Sequence, residues 1–166
     1  MIADDDWEQR IAHVWAEIDR YDEDDFRSRI DALVAELPPG NAVGLFERGG
    51  AFDSTGRPDA AVQLYAAALE AGLTGERRRQ AVIQMASSLR NLGKPQESVR
   101  LLRAELDATS DNLDGAVATF LALALVDVGR EREAVSVAVK ALSAYLPRYN
   151  RSAARYAQEL ITPTER

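Results

Sequence analysis

Cysteine is absent from the 166 residues, so the chain has no disulfide framework, no thiolate metal site and no cysteine nucleophile. A single histidine, His13, excludes any site that needs two imidazoles, and it has no evident serine or cysteine companion. No apolar run reaches the roughly 18 residues needed to span a bilayer, so no membrane partner is expected. The opening MIADDDWEQR is acidic where a secretion signal would be basic, and a cytoplasmic location is expected. Strand signals are missing too: no window alternates with period two between turn residues. Gly49-Gly50 is not followed by the Gly-Lys-Ser/Thr of a phosphate loop. Ser87-Ser88 lacks the Gly-x-Ser-x-Gly frame of an exposed nucleophile. Asp4-Asp5-Asp6 and Asp22-Glu23-Asp24-Asp25 have neither the alternation nor the turn glycine of a calcium loop. They read as acidic helix starts that complement the dipole. No catalytic, cofactor or metal site emerges, and a non-enzymatic protein is expected.

The charge present is unevenly placed. Residues 1–40 hold 12 acidic side chains and 4 arginines, a balance of −8, while the remainder sums to +1. Such an acidic segment repels phosphate backbones, so nucleic acid is not an expected partner. Apolar residues recur at three- and four-residue spacing throughout, which is the helical period. Helices are predicted at 5–20, 24–36, 41–54, 58–71, 75–92, 95–108, 113–128, 131–145 and 149–161. Asp24 and Asp111 are the candidate N-caps, and Pro58 and Pro95 suit first turns. Gly40, Gly56, Gly72, Gly93 and Gly129 mark stops. Arg77-Arg78-Arg79 reads as a solvated first turn.

Three stretches align with one another: Gly56-Arg57-Pro58-Asp59-Ala60-Ala61-Val62, Gly93-Lys94-Pro95-Gln96-Glu97-Ser98-Val99 and Gly129-Arg130-Glu131-Arg132-Glu133-Ala134-Val135. Their glycines are 37 and 36 residues apart, a period that implies stacked supersecondary units. Around them the chain resembles the tetratricopeptide repeat over residues 42–146. That motif places small residues at positions 8, 20 and 27 and large ones at 4, 7, 11 and 24. Leu45, Gly49, Phe52, Ala61, Tyr65 and Ala68 match in the first unit, with Arg48 the departure at position 7. Val82, Met85, Ala86, Leu89, Ser98 and Leu102 match in the second, with Glu105 in a small-residue place. Ala118, Leu121, Ala122, Leu125, Ala134 and Ala141 match in the third, with Ala138 where an aromatic belongs. The run from Gly72 to Gly93 resembles a bacterial group-five subfamily.

The resemblance implies an all-α fold, a right-handed α-solenoid of antiparallel helix hairpins. It divides the chain into a divergent acidic hairpin at 1–39, three repeats at 40–146 and a capping helix at 147–166. It also implies a protein- or peptide-binding scaffold whose partner lies along a concave stripe of first-helix residues. The groove residues are Phe46, Asp53, Gln80, Ile83, Ser87, Arg90, Thr119 and Leu123, with Phe46, Ile83 and Leu123 as apolar anchors and Arg90 and Asp53 as polar clamps. A groove of this kind suits an extended or helical peptide. The lysine and asparagine that hold a chaperone's carboxylate in some relatives are replaced by Phe46, Gly50, Ile83 and Ser87, so that clamp is absent. Two other arrangements use the same residues. The first hairpin or the last helix could fold over the stripe, or a homodimer could bury it.

Overall fold

The computed structural model describes residues 5–108 and 110–162. Among them every regular element is helical: α1 (Asp5–Ala16), a 3-10 turn (Ile18–Arg20), α2 (Glu23–Val34), α3 (Ala42–Ser54), α4 (Pro58–Glu70), α5 (Gly75–Asn91), α6 (Pro95–Ala108), α7 (Asp114–Asp127), α8 (Glu131–Ser143) and α9 (Asn150–Glu159). The chain divides into two compact units, residues 1–88 and 89–166, with α5 running across the division. In the first unit α1, α2, α3 and α4 pack in sequence order, and in the second α6, α7, α8 and α9 do the same. No described helix is long and apolar enough to cross a membrane.

The repeat spacing is built into three equivalent turns. Gly56, Gly93 and Gly129 have φ of 71°, 76° and 72°. The residue after each donates its amide back across five residues: Arg57 to the Phe52 carbonyl, Lys94 to Leu89 and Arg130 to Leu125, each at 2.9 Å. This is the left-handed helix stop that satisfies orphan carbonyls, and glycine adopts it without a Cβ penalty. The small residues of the motif then permit close helix approach. A Cβ on Gly49 would stand 2.8 Å from the Tyr65 ring, and Ala61, Tyr65 and Ala68 are fully buried.

The N-terminal hairpin forms its own part of the first unit's core. Trp7, Ile11, Phe26, Ile30 and Leu33 pack with Ala51 of α3, flanked by Val14, Trp15, Ile18, Val34 and Leu37. The buried Trp7 indole is satisfied by donating to the Leu33 carbonyl at 2.9 Å. Trp15 meets Phe26 edge-on, with centroids 5.1 Å apart.

Two caps differ from expectation. Asp22, not Asp24, caps α2, its carboxylate accepting from the Asp25 amide at 2.8 Å. The earlier cap wins because Asp22 alone has extended backbone, and Asp24 lies within the helix, paired with Arg27. Asp111 accepts from the Leu113 amide at 2.7 Å, closing a turn ahead of α7 rather than capping it. Glu105 is buried although it occupies a small-residue place.

Candidate functional site

The expected groove residues fall in both units. Phe46, Asp53, Gln80, Ile83 and Ser87 belong to the first, and Arg90, Thr119 and Leu123 to the second. Phe46 and Ile83 are buried, so neither is an anchor offered to solvent. Asp53, Gln80 and Ser87 are half-buried. Trp15 of α1 lies over the first-repeat stripe: a Cβ on Gly50 would stand 3.0 Å from its ring. What is left open there is a pocket of about 460 Å³, walled by α1, α3 and α5. Phe46, Gly50, Asp53, Gln80 and Gln84 line it together with Glu8, Trp15, Glu47 and Arg77.

Charged groups converge on this pocket from three helices. Arg77 forms a fork with Glu8, at 2.9 and 2.6 Å, and its Nε donates to Glu47 at 3.1 Å. The Trp15 indole donates to the other Glu47 oxygen at 2.7 Å. Only 4% of Glu47 is exposed, and burial pushes its carboxyl above the ordinary range against the pull of Trp15 and Arg77. Asp53 is also raised by burial, with the Ser88 and Tyr65 hydroxyls opposing. Ser88 donates to it at 2.7 Å and Tyr65 at 3.5 Å; Tyr65 also donates to Gln84. Arg77 is therefore no solvated first-turn residue, and Arg79 beside it is buried; only Arg78 of the three is exposed. Composition could not separate them, because the distinction depends on which face of α5 meets Glu8 and Glu47.

The second unit presents a different surface. Thr119 and Leu123 line a groove of about 520 Å³ between α7 and α8, with Ala122, Val126, Ala134, Val135, Ala138, Leu142 and Tyr145. None of its lining side chains is charged. Leu123, Val126 and Leu142 remain 43, 49 and 58% exposed. The internal repeat accounts for the opening. In the first repeat the Tyr65 ring lies against Gly49, whereas the equivalent pair in the third, Ala138 and Ala122, both line the groove. An alanine in the aromatic position leaves the seam unfilled. Arg90 makes a tight pair with Asp127, Nε to Oδ2 at 2.5 Å, which sequence spacing did not foresee.

His13 is exposed on α1 with its imidazole 3.4 Å from Glu17. The Tyr21 hydroxyl, with Arg20 nearby, holds the Glu17 carboxyl below its ordinary value, which weakens it as a base.

Comparison with known proteins adds one positive finding. The family model described as Tetratrico peptide repeat matches residues 42–160, from the start of α3 to just past the end of α9. No curated protein and no solved structure matches the chain. Domains of this family generally act as protein-interaction scaffolds and are typically non-catalytic. Most of the chain falls within the matched span, and its three glycine turns and small-residue contacts are those of stacked helix hairpins: the chain belongs to the tetratricopeptide-repeat family.

Proposed function

We propose that the chain is a non-enzymatic scaffold that holds a protein segment in the α7–α8 groove of its second unit, with Thr119 and Leu123 among the contacts. The observation that carries this reading is the unfilled seam at Ala138, rimmed by exposed Leu123, Val126, Val135 and Leu142. Apolar side chains aligned on one face of a solvated protein mark an interaction surface. The slot has the place of a missing ring, so the segment it suits supplies an aromatic side chain. A second reading is self-association through the same face, favoured by the exposed Tyr145 and Leu142 at its edge.

The test fills the slot from within. Peptides selected from a random library against the wild-type chain should carry an aromatic residue. They should bind the Ala138→Tyr variant at least about tenfold more weakly, a loss of about 1.4 kcal/mol. Unchanged affinity, with the fold intact by circular dichroism, would remove the groove as the site. Sedimentation over a dilution series separates the readings: a wild-type dimer that Leu142→Glu converts to monomer supports self-association.

A further inference from the structure

The pocket of the first unit carries an inference beyond the α7–α8 reading and independent of it. Its volume, about 460 Å³, lies within the range of small-ligand sites, about 300–1,000 Å³. Three carboxylates line it, from Glu8, Glu47 and Asp53, against one cation, Arg77. Arg77 is engaged by Glu8 and Glu47. Asp53 meets hydroxyls only, from Ser88 and Tyr65, and no described cation pairs with it. A half-buried carboxylate without a counter-ion is costly, and a ligand that brings one relieves the cost. The rest of the lining includes the rings of Trp15 and Phe46, beside Ile11, Ala12, Gln80 and Gln84, and aromatic rings attract cations.

A metal ion does not fit: no described group of three acidic, histidine or cysteine side chains could hold one. Aromatic walls beside a single unpaired carboxylate suit an organic cation. A guanidinium suits them better than an ammonium, because it is flat, weakly hydrated, stacks on rings and offers forked donors to a carboxylate. We propose that this pocket binds a guanidinium group, which faces the Asp53 carboxylate beside Trp15 and Phe46. The raised Asp53 carboxyl agrees with an anion that lacks its partner.

The experiment follows the two indole N–H resonances of the full chain by NMR. Trp15 lines the pocket, and Trp7, bonded to the Leu33 carbonyl, is the internal control. The probes are a blocked pentapeptide with a central arginine, the same peptide with citrulline, its neutral isostere, and agmatine. The arginine peptide should shift Trp15 saturably and leave Trp7 in place, and the citrulline peptide should do neither. Asp53→Asn should weaken the arginine peptide at least about tenfold. If that variant fails to fold, the arginine–citrulline pair on the wild type decides alone. Equal responses to the two peptides, no saturable response to millimolar concentration, or unchanged affinity in a folded Asp53→Asn chain would each overturn the proposal. Agmatine binding as tightly as the peptide assigns the site to a free small guanidine. Tighter peptide binding assigns it to an arginine of a partner protein.

Discussion

Replacing Arg77 by methionine tests the charge network that joins α1, α3 and α5 in the first unit. Two parts of the network differ in value. The Glu8 fork is about one-third exposed on both sides, at 36% for Glu8 and 30% for Arg77, and a screened pair of that kind contributes about 0–1 kcal/mol. The Glu47 contact is different, because its carboxylate is buried and keeps only the Trp15 indole once the guanidinium is gone. Stranding a buried charge costs about 3–5 kcal/mol. Glu47 can escape part of that by taking up a proton, since burial already raises its carboxyl. A loss of about 3 kcal/mol at neutral pH follows, out of the 5–15 kcal/mol typical of a folded domain. In a Glu47→Gln background the same replacement should cost about 1 kcal/mol or less, because no charge is left to strand. Both tryptophans, Trp7 and Trp15, lie in the first unit, so urea unfolding followed by their fluorescence reads that unit. Equal losses in the two backgrounds would refute the reasoning.

Gly49→Ala should destabilise the same unit by about 1–3 kcal/mol, because its Cβ would meet the fully buried Tyr65 ring at 2.8 Å; unfolding unchanged by the substitution would mean that the ring can move aside. Stability should also depend on pH in two opposing ways. Glu47 and Asp53 have raised carboxyls, so the folded chain binds their protons more tightly than the unfolded one, and stability falls as pH rises above 4.5 and 3.8 respectively. Glu17 and Glu36 have lowered carboxyls, so their contribution is present above 4.5 and lost as pH falls below it. The unfolding free energy should therefore peak on the acid side of neutrality. Glu47→Gln should flatten the decline toward pH 7, and an unaltered pH profile in that variant would contradict the assignment.

Most of the fold is legible in the residues, because helix stops and close contacts depend on local chemistry. Glycine after a small-residue helix requires little context, and the three turns share one hydrogen-bond pattern. The stripes Trp7, Ile11, Val14, Trp15, Ile18 and Phe26, Ile30, Leu33, Val34, Leu37 likewise follow from helical period, and both pack where the period puts them. Helix ends carry a weaker local signal: the pattern predicts one helix to residue 20, whereas α1 stops at Ala16 and Ile18–Arg20 form a 3-10 turn. The site was less legible than the fold. Helical spacing places Phe46 and Ile83 on the stripe, but it does not say what lies above the stripe, and both are buried. Contacts between distant segments, Arg77 with Glu8 or Arg90 with Asp127, have no local signature. The apolar groove did have a signal. Ala138 stands out as a departure from the motif, and a departure toward a smaller residue in a close-packed seam is a cavity unless a neighbour grows to fill it.

The acidic first quarter shows how far a charge count is from a surface field. Asp6 and Glu36 bracket Arg10, Asp24 pairs with Arg27, and Asp25 with Arg29. Asp31 and Glu8 are met by Arg48 and Arg77, which lie outside the acidic segment in sequence. Exposed pairs of this kind add little stability each, and their value lies in orientation. Arg48 of α3 reaches Asp31 and Arg77 of α5 reaches Glu8, so both tie the apolar-packed first hairpin to its neighbours, Arg77 on the side where Trp15 lies over Gly50 and the pocket beside Asp53 opens. In that pocket Asp53 is the carboxylate that no described cation meets, and there a single added cation changes the electrostatics most, because low local polarity magnifies an unpaired charge and bulk ions screen it least.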